Sequence, residues 1–369
     1  MAALERMVNI DCGSFSPDGV DRIADLCDAM FRSTGWVVER VPHAAGEGEP
    51  RLGDTLVGTV DGAGGPRVLL LSHMDTVFDD GVAAARPFAV RDGRAYGPGV
   101  SDMKGGLIAG FVAVDALREA GFDGFDRITY VCNPDEEIGS PSSGPLIRRL
   151  AGEHDAALVL ECGRANGDVV SARKGVTDYR IWIRGRAAHA GVEPDEGRSA
   201  VIEAAHKVLA IAGVHGRWPG VSCNVGVLRG GTRTNVVPED AVLEVDLRAP
   251  ELGALEEAER EIARICAEPT TEGMTISVES EGWHRPMEKT TASQRLVDAA
   301  VAVAAELGFE LRDTATGGAS DGNTTSAAGC PTLDGLGPVG GAAHSSDEWL
   351  DVASIVPRTA MLAGIIARL

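Results

Sequence analysis

A chain of 369 residues exceeds one ordinary domain and can bury a sizeable core. Its 34 basic and 55 acidic residues leave a formal charge of −21, which argues against a nucleic-acid or anionic-membrane surface, since either needs a basic patch. Seven cysteines without a CxxC pair, no apolar run of membrane length and no charged-then-apolar leader pattern point to a cytoplasmic protein with reduced thiols. In chain order, spaced apolar positions (Val20, Ile23, Leu26, Met30) predict an amphipathic helix over 18–34. Strands are predicted at 36–41 and 55–60, separated by a Gly/Pro/Glu-rich loop at 42–53. A fully apolar run follows at 68–71 and leads into Ser72, His73, Met74 and Asp75, the pattern of a strand buried on both faces of a parallel sheet. Leu107, Phe111, Val114 and Leu117 recur at helical spacing, so Asp102 falls at or near a helix start. Short strands at 128–132 and 156–160 run into Asp135-Glu136-Glu137 and Glu161. Alternating strands and helices of this kind imply an α/β fold with a mostly parallel sheet.

The pattern changes after about residue 170. Residues 178–184 alternate apolar and polar, as in a half-exposed antiparallel strand. Helices at 198–213 and 251–267 and strands at 222–228, 241–248 and 274–280 complete a β-α-β-β-α-β order, the ferredoxin-like unit. The α/β pattern resumes with helices at 291–307 and 352–367. The expected organisation is a discontinuous catalytic domain, 1–170 with 285–369, interrupted by an inserted domain at 171–284.

Open α/β sheets place ligand sites beyond the carboxyl ends of their strands. His73, Asp75, Asp102, Glu136, Glu137 and Glu161 all fall at segment ends of that kind, and His344 lies in a late glycine-rich loop. Carboxylates gathered there repel one another unless protonated or neutralised by cations. Two divalent metals are the simplest answer; imidazole and carboxylate ligands suit zinc, with cobalt or manganese as replacements. Paired ions activate a water, and a further carboxylate is then needed to take its proton to the leaving group.

The segments around His73 (Ser72 to Val77), Asp102 (Gly99 to Gly105), Glu136 (Asp135 to Glu137), Glu161 (to Gly163), His189 (Gly185 to Gly191) and His344 (Ala343 to Ser345) resemble the signature segments of the M20 metallopeptidase family, in family order. That family includes glutamate carboxypeptidases, succinyl-diaminopimelate desuccinylase and acetylornithine deacetylase. The resemblance implies that Asp102 bridges two metals, that His73 and Glu161 complete one site, and that Glu137 and His344 complete the other. It implies Glu136 as general acid/base and Asp75 as the carboxylate orienting His73. A glutamate at position 161 is the choice of the family's carboxypeptidases and deacylases, and tilts the substrate toward an N-acyl amino acid or short peptide with a free C-terminal carboxylate, glutamate-type. By the same resemblance Asn235, Arg248 and Arg285 contact substrate, a guanidinium being the fitting reader of a carboxylate. Lys174 and the Gly-rich loop at Gly318 are similar to substrate-side elements. His189 resembles a histidine that the smaller domain sends into the partner subunit's site, which implies a homodimer formed through the insert.

Three other readings compete. Gly318-Ala319-Ser320-Asp321-Gly322 fits G-x-S-x-G, with Asp334 and His344 following in the Ser, Asp, His order of a serine hydrolase. That reading leaves the acidic strand ends unexplained. A dinucleotide fingerprint at 335–340 matches by spacing alone and opens no helix. A catalytically silent relative could keep the fold for binding only. The remaining histidines (43, 154, 206, 215 and 284) read as structural or solvent-exposed.

Overall fold

The computed structural model describes residues 1–46 and 48–369, with the side chains of 281–283 left out. The expected loop at 42–53 is a loop, residue 47 lying outside the described residues. The chain divides into two compact units: residues 1–172 with 289–316 and 320–369, and residues 173–288 with 317–319.

The first unit is built on a six-stranded sheet. Across it lie Val37–Val41, Thr55–Asp61, Arg127–Asn133, Arg67–His73, Ala156–Val159 and Thr332–Leu333. The last three pairings are parallel and the first two antiparallel, so the two N-terminal strands form an antiparallel margin rather than continuing the parallel rhythm. Both faces of the central strand are covered. Val68 and Leu70 enter one core with Phe31, Leu107 and Leu296, while Leu69 and Leu71 enter the other with Ile147 and Leu150. Alternate residues therefore feed opposite cores, which is why the run is continuously apolar. The helix Gly105–Glu119 packs so tightly beside the Ala156–Val159 strand end that a Cβ at Gly106 would sit 1.8 Å from the Leu160 carbonyl oxygen. Only glycine permits that approach, which draws the turn carrying Asp102 toward Glu161. A small second sheet (Ala89–Arg91, Arg94–Tyr96, Gly340–Gly341, Trp349–Asp351) has strands too short to leave a periodic signal.

The second unit has a four-stranded antiparallel sheet, ordered Ser222–Gly230, Asp240–Ala249, Gly175–Arg184, Thr275–His284. Helices Ala200–Ala212 and Leu252–Ala267 share one core with one face of this sheet, through Ile181, Ile183, Leu243, Leu247, Ile211, Leu255 and Ile262. Among the described residues no helix is long and apolar enough to cross a membrane.

Candidate active site

Strand register assembles the first unit's site. His73 stands opposite Asn133 and Leu71 opposite Val159, so neighbouring strands end level. The chain then supplies Glu136 and Glu137 three and four residues beyond Asn133, and Glu161 two beyond Val159. Asp102 comes from the turn Val100–Lys104, just ahead of the helix Gly105–Glu119. His344 comes from a loop in which Ala342 and His344 adopt left-handed φ values of 55° and 61°. Non-glycine residues pay roughly 1–2 kcal/mol for that conformation, so the loop is held by its surroundings.

Two donor trios result, His73 with Asp102 and Glu161, and Asp102 with Glu137 and His344; in each, one ligand atom per residue lies within 4.8 Å of the others. The two oxygens of Asp102 face different histidines: Oδ1 is 3.1 Å from His73 Nε2 and Oδ2 is 3.1 Å from His344 Nε2. Glu161 lies 3.6 Å from His73 Nε2, and Glu137 3.1 Å from His344 Nε2. His73 donates from Nδ1 to the main-chain carbonyl of Asp75 at 3.0 Å, which turns Nε2 toward the carboxylates.

The electrostatics follow from that crowding. Burial alone would push the His73 pKa down, but hydrogen bonds to Asp102 and Asp75 and the charges of Glu161 and Glu136 hold it well above the usual histidine range. Hydrogen bonds to Asp102 and Glu137 raise His344 to about 10. Burial would raise Asp102, yet His344 and His73 hold it well below the usual carboxylate range. Glu136 is pushed well up by burial and by Glu161 and Glu137, against the pull of His73. Its carboxylate accepts no hydrogen bond from a described residue; its main chain is engaged, the N–H donating to Asp75 at 3.2 Å and the carbonyl accepting from the Gly139 N–H at 2.8 Å.

This donor set fits a pair of divalent cations. Asp102, Glu136, Glu137 and Glu161 bring four carboxylates to one pocket, more than the two imidazoles can balance even when both are protonated. Hard oxygen and borderline imidazole donors, with one carboxylate shared between trios, are the ligands that zinc and its neighbours accept.

Asp75 departs in part from the expected orientation of His73. Its main-chain oxygen takes the His73 hydrogen bond, with the carboxylate 3.4 Å from Nδ1. The carboxylate accepts from the Ser14 hydroxyl at 2.6 Å and from the backbone N–H groups of Glu136 and Glu137, both at 3.2 Å. It therefore fixes the Glu136–Glu137 turn at least as much as the imidazole. Nothing in the local sequence of Ser14 marks it for this contact, made across 61 positions. Deeper supports carry no local sequence signal either: Asp135 accepts from the Ser143 hydroxyl, and Asp321 accepts from Ser140 at 2.6 Å and Asn133 at 2.8 Å. Burial pushes Asp321 up to about 7 despite these bonds.

The second unit carries the remaining expected residues, each tied locally. Arg248 forks onto Asp246 and donates to the Gly317 carbonyl at 3.0 Å. Arg285 pairs with Glu259 at 3.3 Å, Lys174 donates to the Gly220 carbonyl at 2.6 Å, and the Gly318 carbonyl accepts from Arg173 at 3.1 Å. His189 and Asn235 are exposed on facing loops, bridged by His189 with Val236 and by the Ala190 N–H donating to the Asn235 carbonyl at 3.1 Å. The Gly191 N–H donates to His189 Nδ1 at 3.1 Å, so the imidazole proton sits on Nε2.

The serine-hydrolase alternative fails on geometry. Ser320 is buried as the N-cap of the helix Asp321–Ala327, accepting from the Gly322 N–H at 3.0 Å and donating to Asp334 at 2.6 Å. The acid holds the serine directly, and His344 is engaged by Asp102 and Glu137, so no base stands between them.

A sheet of this kind with paired donor trios at its strand ends defines a candidate metal centre. Residues 69–368 match peptidase family M20/M25/M40. Over 366 residues the chain is 31% identical to carboxypeptidase G2 of Pseudomonas sp. (strain RS-16), covering 98% of this chain and 87% of that protein. It is 28% identical over 307 residues to the succinyl-diaminopimelate desuccinylase of Acidovorax ebreus (strain TPSY), covering 79% and 77% of the two. The fold is similar to that of a tripeptidase from Staphylococcus aureus subsp. aureus mu50, with a TM-score of 0.82 at 23% identity over 100% of this chain and 98% of that one. The chain belongs to peptidase family M20/M25/M40 and is a hydrolase of the metallopeptidase class.

Proposed function

We propose that this hydrolase cleaves the amide bond of an N-acyl amino acid or short peptide whose leaving residue, of glutamate type, carries a free C-terminal carboxylate. The observation that carries the proposal is the meeting of two donor trios at Asp102, together with a Glu136 carboxylate that accepts no hydrogen bond from a described residue. His73 and Glu161 would hold one ion, Glu137 and His344 the other, and Asp102 both; zinc suits the set, with cobalt or manganese as replacements. Bound ions supply Lewis acidity toward the scissile carbonyl and acidify a water.

Glu136 takes the proton from the attacking water and returns it to the leaving nitrogen. A carboxylate that is free of hydrogen bonds can hold that proton between the two transfers. Arg248 reads the substrate carboxylate through its planar fork, with Asn235, Arg285, Lys174 and the Gly318 loop as neighbouring contacts. His189 presents Nε2–H, the donor that a developing oxyanion requires. The carboxypeptidase G2 likeness supports the glutamate-type leaving residue. The desuccinylase likeness supports a second reading, a deacylase of another N-acyl amino acid.

The second unit is read as a ferredoxin-like lid that dimerises. Its edge strand Ser222–Gly230 and the outer side of the helix Ala200–Ala212 expose Leu228, Ile202 and Leu209, which supports a partner on that side. Seven cysteines with no disulfide among the described residues support a cytoplasmic setting. The test is hydrolysis of a panel of N-acyl amino acids and C-terminal-glutamate dipeptides by metal-free and zinc-reloaded protein, with the mass in solution measured alongside. Turnover that returns with zinc and favours acidic leaving residues is expected; chelator-resistant turnover overturns the reading.

A further inference from the structure

We infer that Glu348 is a positioning residue for the metal centre, a buried carboxylate that locks the Asp102 turn and the His344 loop to each other. The inference rests on the dimetal reading above, and it concerns a residue that belongs to neither donor trio. Asp102 sits where the backbone is irregular: its φ and ψ are −119° and 87°, those of Met103 are −131° and 38°, and no side chain caps the helix that follows. Such a turn leaves N–H groups without helical partners. Glu348 collects them. Its Oε2 accepts from the Gly99 N–H at 2.8 Å, and its Oε1 from the Ser101 N–H at 2.9 Å, the Asp102 N–H at 3.0 Å and the Ser101 hydroxyl at 3.1 Å.

Four donors converge on one carboxylate, three on Oε1 and one on Oε2, and at 1% exposure no water competes for them. Three of the four are main-chain groups, so the clamp fixes backbone, and one of them is the N–H of Asp102 itself. The other end of Glu348 is held as firmly. Its neighbours Trp349 and Leu350 pair with Tyr96 and Ala95 on one side and with Gly341 and Gly340 on the other. Residues 340–350 thereby close into a loop with His344 near its tip, and Glu348 joins that closure to the Asp102 turn. The link joins the two segments whose side chains meet where His344 Nε2 lies 3.1 Å from Asp102 Oδ2. A negative group so close to Asp102 is electrostatically unfavourable, which makes its retention in a dry site a matter of geometry rather than of charge balance.

The test compares wild-type, Glu348→Gln and Glu348→Asp proteins, stripped of metal and titrated with zinc against a competing chelator. Glutamine keeps the size but turns an NH₂ group toward donors, whereas aspartate keeps both acceptors. Glu348→Gln is expected to weaken zinc binding by about 10–100-fold, the loss typical of removing a ligand's support. Glu348→Asp should recover part of it. The absorption spectrum of the cobalt-loaded protein should also change in Glu348→Gln, because ligand geometry around the ion changes; a role in folding alone would not move it. Unaltered zinc affinity and cobalt spectrum in a folded Glu348→Gln protein overturn the inference while leaving the dimetal reading intact. Wild-type protein that takes up no stoichiometric metal overturns that reading instead, and this inference with it.

Discussion

The two units handle charge in opposite ways. In the first, carboxylates from separate strand ends converge on one pocket where only two histidines can offset them, and the pKa values of His73, His344 and Glu136 are displaced as a result. In the second, the expected substrate residues are neutralised at home: Arg248 by Asp246 and Arg285 by Glu259. An unbalanced cluster in a folded interior implies something from outside that completes it, whereas a set of satisfied ion pairs implies nothing by itself. The unbalanced charge thus marks the first unit, while the arginines of the second unit enter the proposal only if a substrate carboxylate displaces Asp246 or Glu259.

Metal removal strikes the unbalanced cluster directly and has the largest expected effect. Chelation should bring turnover to background and zinc should restore it. The same experiment has a pH signature. In metal-free protein His344 is held at about 10 against an ordinary 6.5, so near neutrality it carries a proton that an arriving ion must displace. Zinc binding near neutral pH should release protons, countable by calorimetry in buffers of different ionisation enthalpy. Stability carries the same sign: a histidine raised on folding stabilises fully below its unfolded pKa and loses that contribution as pH climbs through about 10. Glu136, also raised, acts in the same direction, and Asp102, lowered, acts only in acid. The gain in Tm on adding zinc should consequently grow from neutral toward alkaline pH; a gain that shrinks contradicts this electrostatic account.

Glu136→Gln separates the base from the ligands. It should lower kcat by about 10²–10⁴-fold while zinc stoichiometry stays unchanged. Loss of an ion together with activity would instead make Glu136 a ligand. A smaller effect is expected in the second unit. Arg248→Ala should raise KM for a carboxylate-bearing substrate by roughly tenfold or more, charge-assisted hydrogen bonds being worth about 1.5–3 kcal/mol, and change kcat less. An equal loss on the carboxamide-capped substrate would assign Arg248 to holding Asp246 and the Gly317 loop rather than to recognition.

The same contrast explains what could be read from the sequence. His73, Glu136 and Glu161 were legible because apolar strands end beside them, and strand ends in such a sheet are level by register. The order of strands and helices in the second unit was legible for a similar reason, since alternation and helical spacing are local. Support of the ligands was not. Ser14 reaches Asp75 across 61 positions and Glu348 reaches Asp102 across 246, contacts that no spacing rule anticipates. Asp75 shows the limit at close range: its position was evident, but whether its carboxylate or its carbonyl would meet His73 depended on where Ser14 and the Glu136 turn came to lie.

Ser320→Ala gives the smallest expected change and tests the comparison from the other side. Ser320 lies in the chemistry-bearing unit, in a stretch with the spacing of a nucleophile motif, yet its hydroxyl is fully used in structure. Removing it deletes the N-cap of the helix Asp321–Ala327 and one donor to the buried Asp334 carboxylate. Either loss costs about 1–2 kcal/mol by ordinary experience, so a fall in Tm of several degrees is expected. Activity of the zinc-loaded protein, measured below that Tm, should stay within about twofold, because Ser320 donates no ligand and faces no reacting atom; ~0.4 kcal/mol of barrier corresponds to such a change. Abolished turnover in a folded, zinc-replete Ser320→Ala protein would place the nucleophile on the chain rather than on a water, and the unbalanced carboxylates would then need another explanation.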